Sequence, residues 1–133
     1  MSDFDSVVSR YLAVWNETDP AARRKRIDEV FADDVRYVDP MAAVTGRDEL
    51  DGLIGAVQQQ FPGLTFSLGK PVDAHHDQAR FTWHLSAVPG EPLVEGFDVA
   101  ELDEEGRIYQ VLGFLDKVPA WVQPRITQVR PAT

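Results

Sequence analysis

The 133-residue chain contains no cysteine, which removes disulfides, thiolate catalysis and cysteine-ligated metal sites from consideration. No apolar run approaches the roughly 18 residues of a membrane span, because charged or turn residues interrupt each one. Basic residues are scarce: 13 Lys and Arg stand against 22 Asp and Glu, for a formal net charge of −9. Such a surface repels a phosphate backbone, so nucleic acid is not an expected partner, and neither is a membrane. The N-terminus, Met1-Ser2-Asp3-Phe4-Asp5, lacks the basic start and apolar stretch of a signal peptide, and the expected location is cytoplasmic. Also missing are a Gly-rich phosphate loop, a Gly-x-Ser-x-Gly elbow and a dinucleotide fingerprint, so no cofactor is expected. Of three histidines, two form His75-His76-Asp77. That cluster is expected in a turn, where adjacent side chains diverge and no further ligand recurs at metal-binding spacing. No metal is therefore expected.

What is present is one domain's worth of chain, 44% hydrophobic and 26% charged, enough to bury a core. Phe4, Val7, Val8, Tyr11, Leu12 and Trp15 recur at the spacing of one helical face. Asp19-Pro20 reads as an N-cap followed by proline at the first helical position. This second helix is expected to bury Ile27, Val30 and Phe31 and to expose the basic cluster Arg23-Arg24-Lys25-Arg26. A third helix is expected from near Thr45, with Asp48 completing a capping-box pattern. Its apolar face is Leu50, Leu53, Ile54, Val57 and Phe61, and Pro62-Gly63 stops it. A short strand, Val35-Arg36-Tyr37-Val38-Asp39, lies between the second and third helices. After Leu64 the period changes to two, giving strands over 65–70, 78–88, 94–102 and 108–115. Pro89-Gly90 and Asp103-Glu104-Glu105-Gly106 supply turns. Helices first and meandering strands after them point to the α+β class. The domain is expected over 1–118, with 119–133 an extended tail containing prolines.

The chemistry lies in polar residues that interrupt apolar patterns. Tyr11 stands on the buried face of the first helix, and Asp39 ends a strand directly before Pro40. Asp98 occupies mid-strand on the parity of Ala100 and Leu102. A carboxylate buried there needs partners or an elevated pKa, since an unpaired buried ion is costly. Tyr37, two residues before Asp39, shares its strand face. Trp15, Phe61, Trp83, Leu85, Val111 and Leu115 read as core and pocket wall. His84 has the parity opposite to Trp83 and is expected to face away from any pocket. Periodicity alone does not bring Tyr11, Asp39 and Asp98 together.

A resemblance does. Val8-Ser9-Arg10-Tyr11-Leu12-Ala13-Val14-Trp15-Asn16, Val30-Phe31-Ala32-Asp33-Asp34-Val35 and Tyr37-Val38-Asp39-Pro40 stand in an order followed by Thr45-Gly46-Arg47-Asp48 and Phe61-Pro62-Gly63-Leu64. Gly96-Phe97-Asp98-Val99 and Glu105-Gly106-Arg107-Ile108 complete it. In this order the chain resembles the SnoaL-like branch of the NTF2-like superfamily over residues 4 to 118. The resemblance implies a cone: three helices in a strongly curved, mostly antiparallel sheet, with an apolar pocket inside. It also implies homodimers formed through the outer sheet face, and a small hydrophobic molecule as partner. Ketosteroid isomerase, in the same superfamily, has a tyrosine and two aspartates where Tyr11, Asp39 and Asp98 stand. Carried over, Asp39 is the general base, and Tyr11 and a protonated Asp98 hold the enolate oxygen, as in the ketosteroid isomerase pattern of pKa tuning.

Two relatives imply other roles. SnoaL-like polyketide cyclases use an acid on the later strand as base, which makes Asp98 ionised. Limonene epoxide hydrolase activates water with two aspartates and an arginine. Asp98 and Asp116 match the aspartates, but Glu95-Gly96-Phe97 offers no arginine. Trp15 and Trp83 are bulky enough to leave less room than a steroid needs. The expected function is cofactor-free acid–base chemistry, of isomerase, cyclase or lyase type, on a small hydrophobic carbonyl compound. The competing expectation is a ligand-binding or dimerisation module that catalyses nothing.

Overall fold

Helix α1 (Phe4–Asn16) opens the computed structural model, which describes residues 3–121. Asp3 caps it by accepting the Ser6 N–H at 3.2 Å, and the stripe read from the sequence is buried, with Val8 and Tyr11 its deepest residues; Val14, outside that stripe, is buried too. In α2 (Pro20–Val30), the Asp19 side chain accepts the Ala22 N–H at 2.9 Å while Pro20 occupies a position that needs no N–H. Phe31 does not belong to this helix. Its backbone turns extended (φ −109°, ψ 147°) and it becomes the first residue of β1 (Phe31–Asp39), pairing with Ile108. The chain then reverses around Asp39 into β2 (Ala42–Thr45), a strand too short and too exposed to leave an alternating signal. Helix α3 (Arg47–Gln60) consequently starts later than Thr45. Gly46 is its cap, at φ +89°, and no side chain caps it. Glu49, not Asp48, reaches back to accept the Thr45 N–H at 2.9 Å.

The remaining strands are β3 (Thr65–Leu68), β4 (Asp73–His75), β5 (Gln78–Ser86), β6 (Val94–Leu102) and β7 (Ile108–Lys117). Strand β4, three exposed residues, was not legible in the sequence. The sheet runs β2-β1-β7-β6-β5-β3, with β4 also paired to β5. Every pairing is antiparallel except that of β1 with β7. The strands curve around the helices as a mixed-sheet cone. Alternation holds in β6, where Val94, Gly96, Asp98, Ala100 and Leu102 all face inward and are buried. His84 lies on the other face, 3.6 Å from Glu95.

The basic cluster is a solvated face only in part: Lys25 and Arg26 are exposed, but Arg23 is not. Arg23 is buried and joins α2 to α3 through Asp51 at 2.7 Å and Gln58 at 2.9 Å. Gln58 also donates to the carbonyls of Trp15 and Glu17, which the end of α1 leaves without intrahelical partners. Arg24 pairs with Asp28 and Asp48, and Arg26 with Glu17. No described helix is long and apolar enough to cross a membrane. At the C-terminal end, Trp121 packs on Phe61 with ring centroids 5.4 Å apart. Beyond Trp121, the tail expected over 119–133 lies outside the described residues.

Candidate functional site

Tyr11 and Asp98 meet inside the cone. The Tyr11 ring is held edge-on by Phe31 and Phe81, at centroid distances of 5.8 and 5.2 Å, which aims its hydroxyl at the centre of β6. That hydroxyl donates to Asp98 Oδ2 at 2.7 Å. Asp98 is 3% exposed, and the Trp83 indole N–H lies beside it as a second donor. Burial pushes its carboxyl up to about 7. The hydrogen bond from Tyr11 and the nearby Trp83 indole N–H oppose that shift, and the charge of Asp39 adds to it. Burial, with the Asp98 charge, also holds the Tyr11 hydroxyl well above the ordinary range for a phenol.

Asp39 sits nearby in a different setting. Its Oδ1 accepts the backbone N–H groups of Met41 and Ala42 at 2.8 and 2.9 Å, and its Oδ2 accepts the Tyr37 hydroxyl at 2.6 Å. These bonds make the β1–β2 reversal. The two acids come together over Gly113. A Cβ on that glycine would stand 2.8 Å from Asp98 Oδ1 and 3.1 Å from Asp39 Cβ. A second inward glycine, Gly96, performs the same service for Trp83, whose ring would lie 2.6 Å from an added Cβ. Strand periodicity, which scores apolar against polar, missed both glycines. The available signal was a glycine on the buried parity of a strand, which marks a close approach.

A cavity of ≈ 220 Å³ adjoins these groups, bounded by α1, α3 and the inner sheet face. Tyr11, Trp15, Tyr37, Asp39, Phe61, Trp83, Leu85, Asp98 and Leu115 all border it. Val111 does not. It faces inward like Leu115 but lies four residues earlier, roughly 13 Å along the strand, fully buried in the core. Sequence reading passed over Met41, Leu53, Val57, Phe66, Val94 and Val118, which complete much of the wall. Asp116 is exposed on the last turns of β7, away from this set. Among the described residues, no three His, Asp or Glu group as a metal site.

Residues 8–111 match the SnoaL-like domain family. Among solved structures, a SnoaL-like family protein from Agrobacterium tumefaciens, provisionally assigned as an isomerase, is 40% identical with a TM-score of 0.79. The match covers 84% of this chain and 95% of that one. A provisionally assigned polyketide cyclase from Sinorhizobium meliloti shares the fold at 18% identity and a TM-score of 0.62, over 81% of this chain and 93% of that one. A Catenulispora acidiphila protein with a ketosteroid isomerase-like fold, solved in complex with trimethylamine, shares it at 21% identity and a TM-score of 0.64, over 85% of each chain. No curated protein matches the sequence. With the family's match spanning most of the described residues and the cone enclosing a pocket with a tyrosine and two aspartates at its wall, the chain belongs to the SnoaL-like family.

Proposed function

We propose that the protein is an acid–base enzyme that moves a proton on a small hydrophobic carbonyl compound, with Asp98 as the proton carrier. One observation carries this reading: a carboxyl buried at the wall of an apolar cavity, with the Tyr11 hydroxyl on one of its oxygens. A base works best when its pKa lies near the operating pH, and burial places Asp98 there, at about 7. In the proposed step, Asp98 takes a proton from the carbon beside the carbonyl. The C–H electron pair moves to the carbonyl oxygen, giving an enolate. Once protonated, Asp98 no longer needs the Tyr11 proton, so both hydroxyls become donors for the enolate oxygen. Return of the proton to another carbon completes an isomerisation. Attack by the enolate carbon on a second carbonyl of the same molecule opens that C=O π bond, and its oxygen takes the Asp98 proton to complete a cyclisation. Asp39, already satisfied by three donors, acts as a fixed charge that raises the basicity of Asp98.

The test is proton exchange in D2O on 3-cyclohexen-1-one, followed by NMR. Wild-type protein is expected to accelerate exchange, and Asp98→Asn to lose at least 100-fold of it. The rate is expected to rise with pH through about 7, because the base must be ionised. A rate that falls over that range instead assigns Asp98 as the protonated donor and Asp39 as the base.

A second reading, a pocket that binds without turnover, draws on the fold neighbour solved with trimethylamine. Undiminished exchange in Asp98→Asn, or none in the wild type, favours it. A homodimer belongs to the same proposal. It is supported by the outer sheet face, where Phe97 and Phe114 stack at 4.9 Å and Phe114 remains 51% exposed.

A further inference from the structure

Two features of the cavity bear on its occupant. The first is charge. Among the described residues, none that borders the cavity is Lys, Arg or His, whereas Asp39 and Asp98 both border it. An anion placed there meets two acids and, among the described residues, no counter-charge, in a setting where apolar walls have already displaced water. Carboxylates, phosphates and phosphate-bearing carriers are therefore disfavoured as the part that enters. A cation has a different obstacle. Asp39 already receives three hydrogen bonds, and Asp98 has the Tyr11 hydroxyl on one oxygen and the Trp83 indole N–H beside it, so an ammonium would lose its hydration for acids whose oxygens already have donors.

The second feature is size and shape. A cavity of ≈ 220 Å³ exceeds the about 150 Å³ that accommodates benzene. It falls short of the roughly 300–1,000 Å³ of sites for drug-sized ligands. One wall is a continuous row of rings: Tyr37 to Trp15 at 5.5 Å, Trp15 to Phe66 at 5.5 Å, Phe66 to Trp83 at 5.4 Å. Trp83 cannot retreat, since its ring already lies against the backbone of Gly96. The wall thus favours a flat ring and fixes the depth available to it.

We infer that the site takes an uncharged carbonyl compound of a single ring, laid against the Tyr37–Trp15–Phe66–Trp83 wall with its acidic C–H toward Asp98, and excludes anions and fused-ring substrates. This rests on the acid–base reading of Asp98 and narrows its substrate class. The depth is set by Trp83, which is thereby a specificity-determining residue.

Binding is measured by ligand-observed NMR at pH 8 with four probes: cyclohexanone, cyclohexanecarboxylate, cyclohexylammonium and the fused-ring phenol equilenin. Cyclohexanone is expected to bind, with the carboxylate at least 30-fold weaker and the ammonium no tighter than the ketone. Equilenin is expected to bind wild type at least 10-fold more weakly than it binds Trp83→Ala, or Trp83→Leu should the alanine variant fail to fold. Equal or tighter binding of the carboxylate, tighter binding of the ammonium, absence of ketone binding, or equilenin binding unchanged by Trp83 substitution overturns the inference. Deuterium exchange at the α-carbons of cyclohexanone, read in the same tubes, separates the two claims. Selective binding without exchange removes the acid–base reading and leaves the selectivity; exchange without selectivity does the reverse.

Discussion

A single buried carboxyl makes the stability of this fold depend on pH. The unfolded chain releases the Asp98 proton near pH 4 and the folded chain near pH 7. Between those values the folded state binds the extra proton, so stability falls as pH rises, by at most roughly 4 kcal/mol, and then levels off. Asp98→Asn removes the term. Urea denaturation is expected to show the variant more stable than wild type at pH 8, with the advantage shrinking toward pH 5. Tyr11→Phe acts in the opposite sense on the acid. Losing the hydroxyl that favours the ionised form, Asp98 is expected to titrate higher still, which carboxyl 13C NMR reads directly, at a stability cost of about 1–3 kcal/mol. Gly113→Ala is expected to cost about 1–3 kcal/mol through overpacking against Asp98 Oδ1 and Asp39. Its carboxyl titration would also move, since the side chain it displaces is Asp98.

Elements are joined by a few polar clamps. The Asn16 side chain, at the end of α1, accepts the Phe66 N–H at 2.7 Å and donates to the Phe66 carbonyl at 2.9 Å, fastening the edge strand β3 to the helix. Asn16→Ala is expected to destabilise by about 1–3 kcal/mol and to raise hydrogen exchange selectively in residues 65–68, which a purely global loss would not do. Elements that carry a strong period were readable in the sequence: the α1 stripe through Tyr11 and Trp15, and the inward parity of Phe81 and Asp98. What the period could not carry was not. Strands β2 and β4 have four and three residues, too few for an alternation to stand out. The start of α3 depended on a positive-φ glycine, not on a side-chain cap. The pocket was readable as far as its acids and tryptophans. It was not readable in Gly96 and Gly113, whose contribution is the absence of a side chain, nor in Val111, whose face was right and whose depth was wrong. That Tyr11, Asp39 and Asp98 share one cavity followed from family resemblance and became geometry only in the folded chain.

For the whole molecule, the proposed homodimer is tested at the outer sheet face. Phe114 is exposed beside Phe97, flanked by partly covered Val38, Val99 and Leu112. If this face pairs with a second copy, Phe114→Glu is expected to halve the mass measured by light scattering while leaving the Asp98 titration in place. An unchanged mass removes the outer-face dimer. The order of the strands carries a separate consequence. Strand β7 is the last in sequence among the described residues yet lies between β1 and β6, so it separates and spaces the two strands that bear Asp39 and Asp98. During synthesis both acids leave the ribosome well before the strand that sets their distance. Until Gly113 has followed them, β1 and β6 each present an open edge, a parallel long-range pairing still has to close, and no ligand has a site to stabilise. The cavity wall that brings Tyr11, Asp39 and Asp98 together is therefore complete only once β7 has paired with both neighbours.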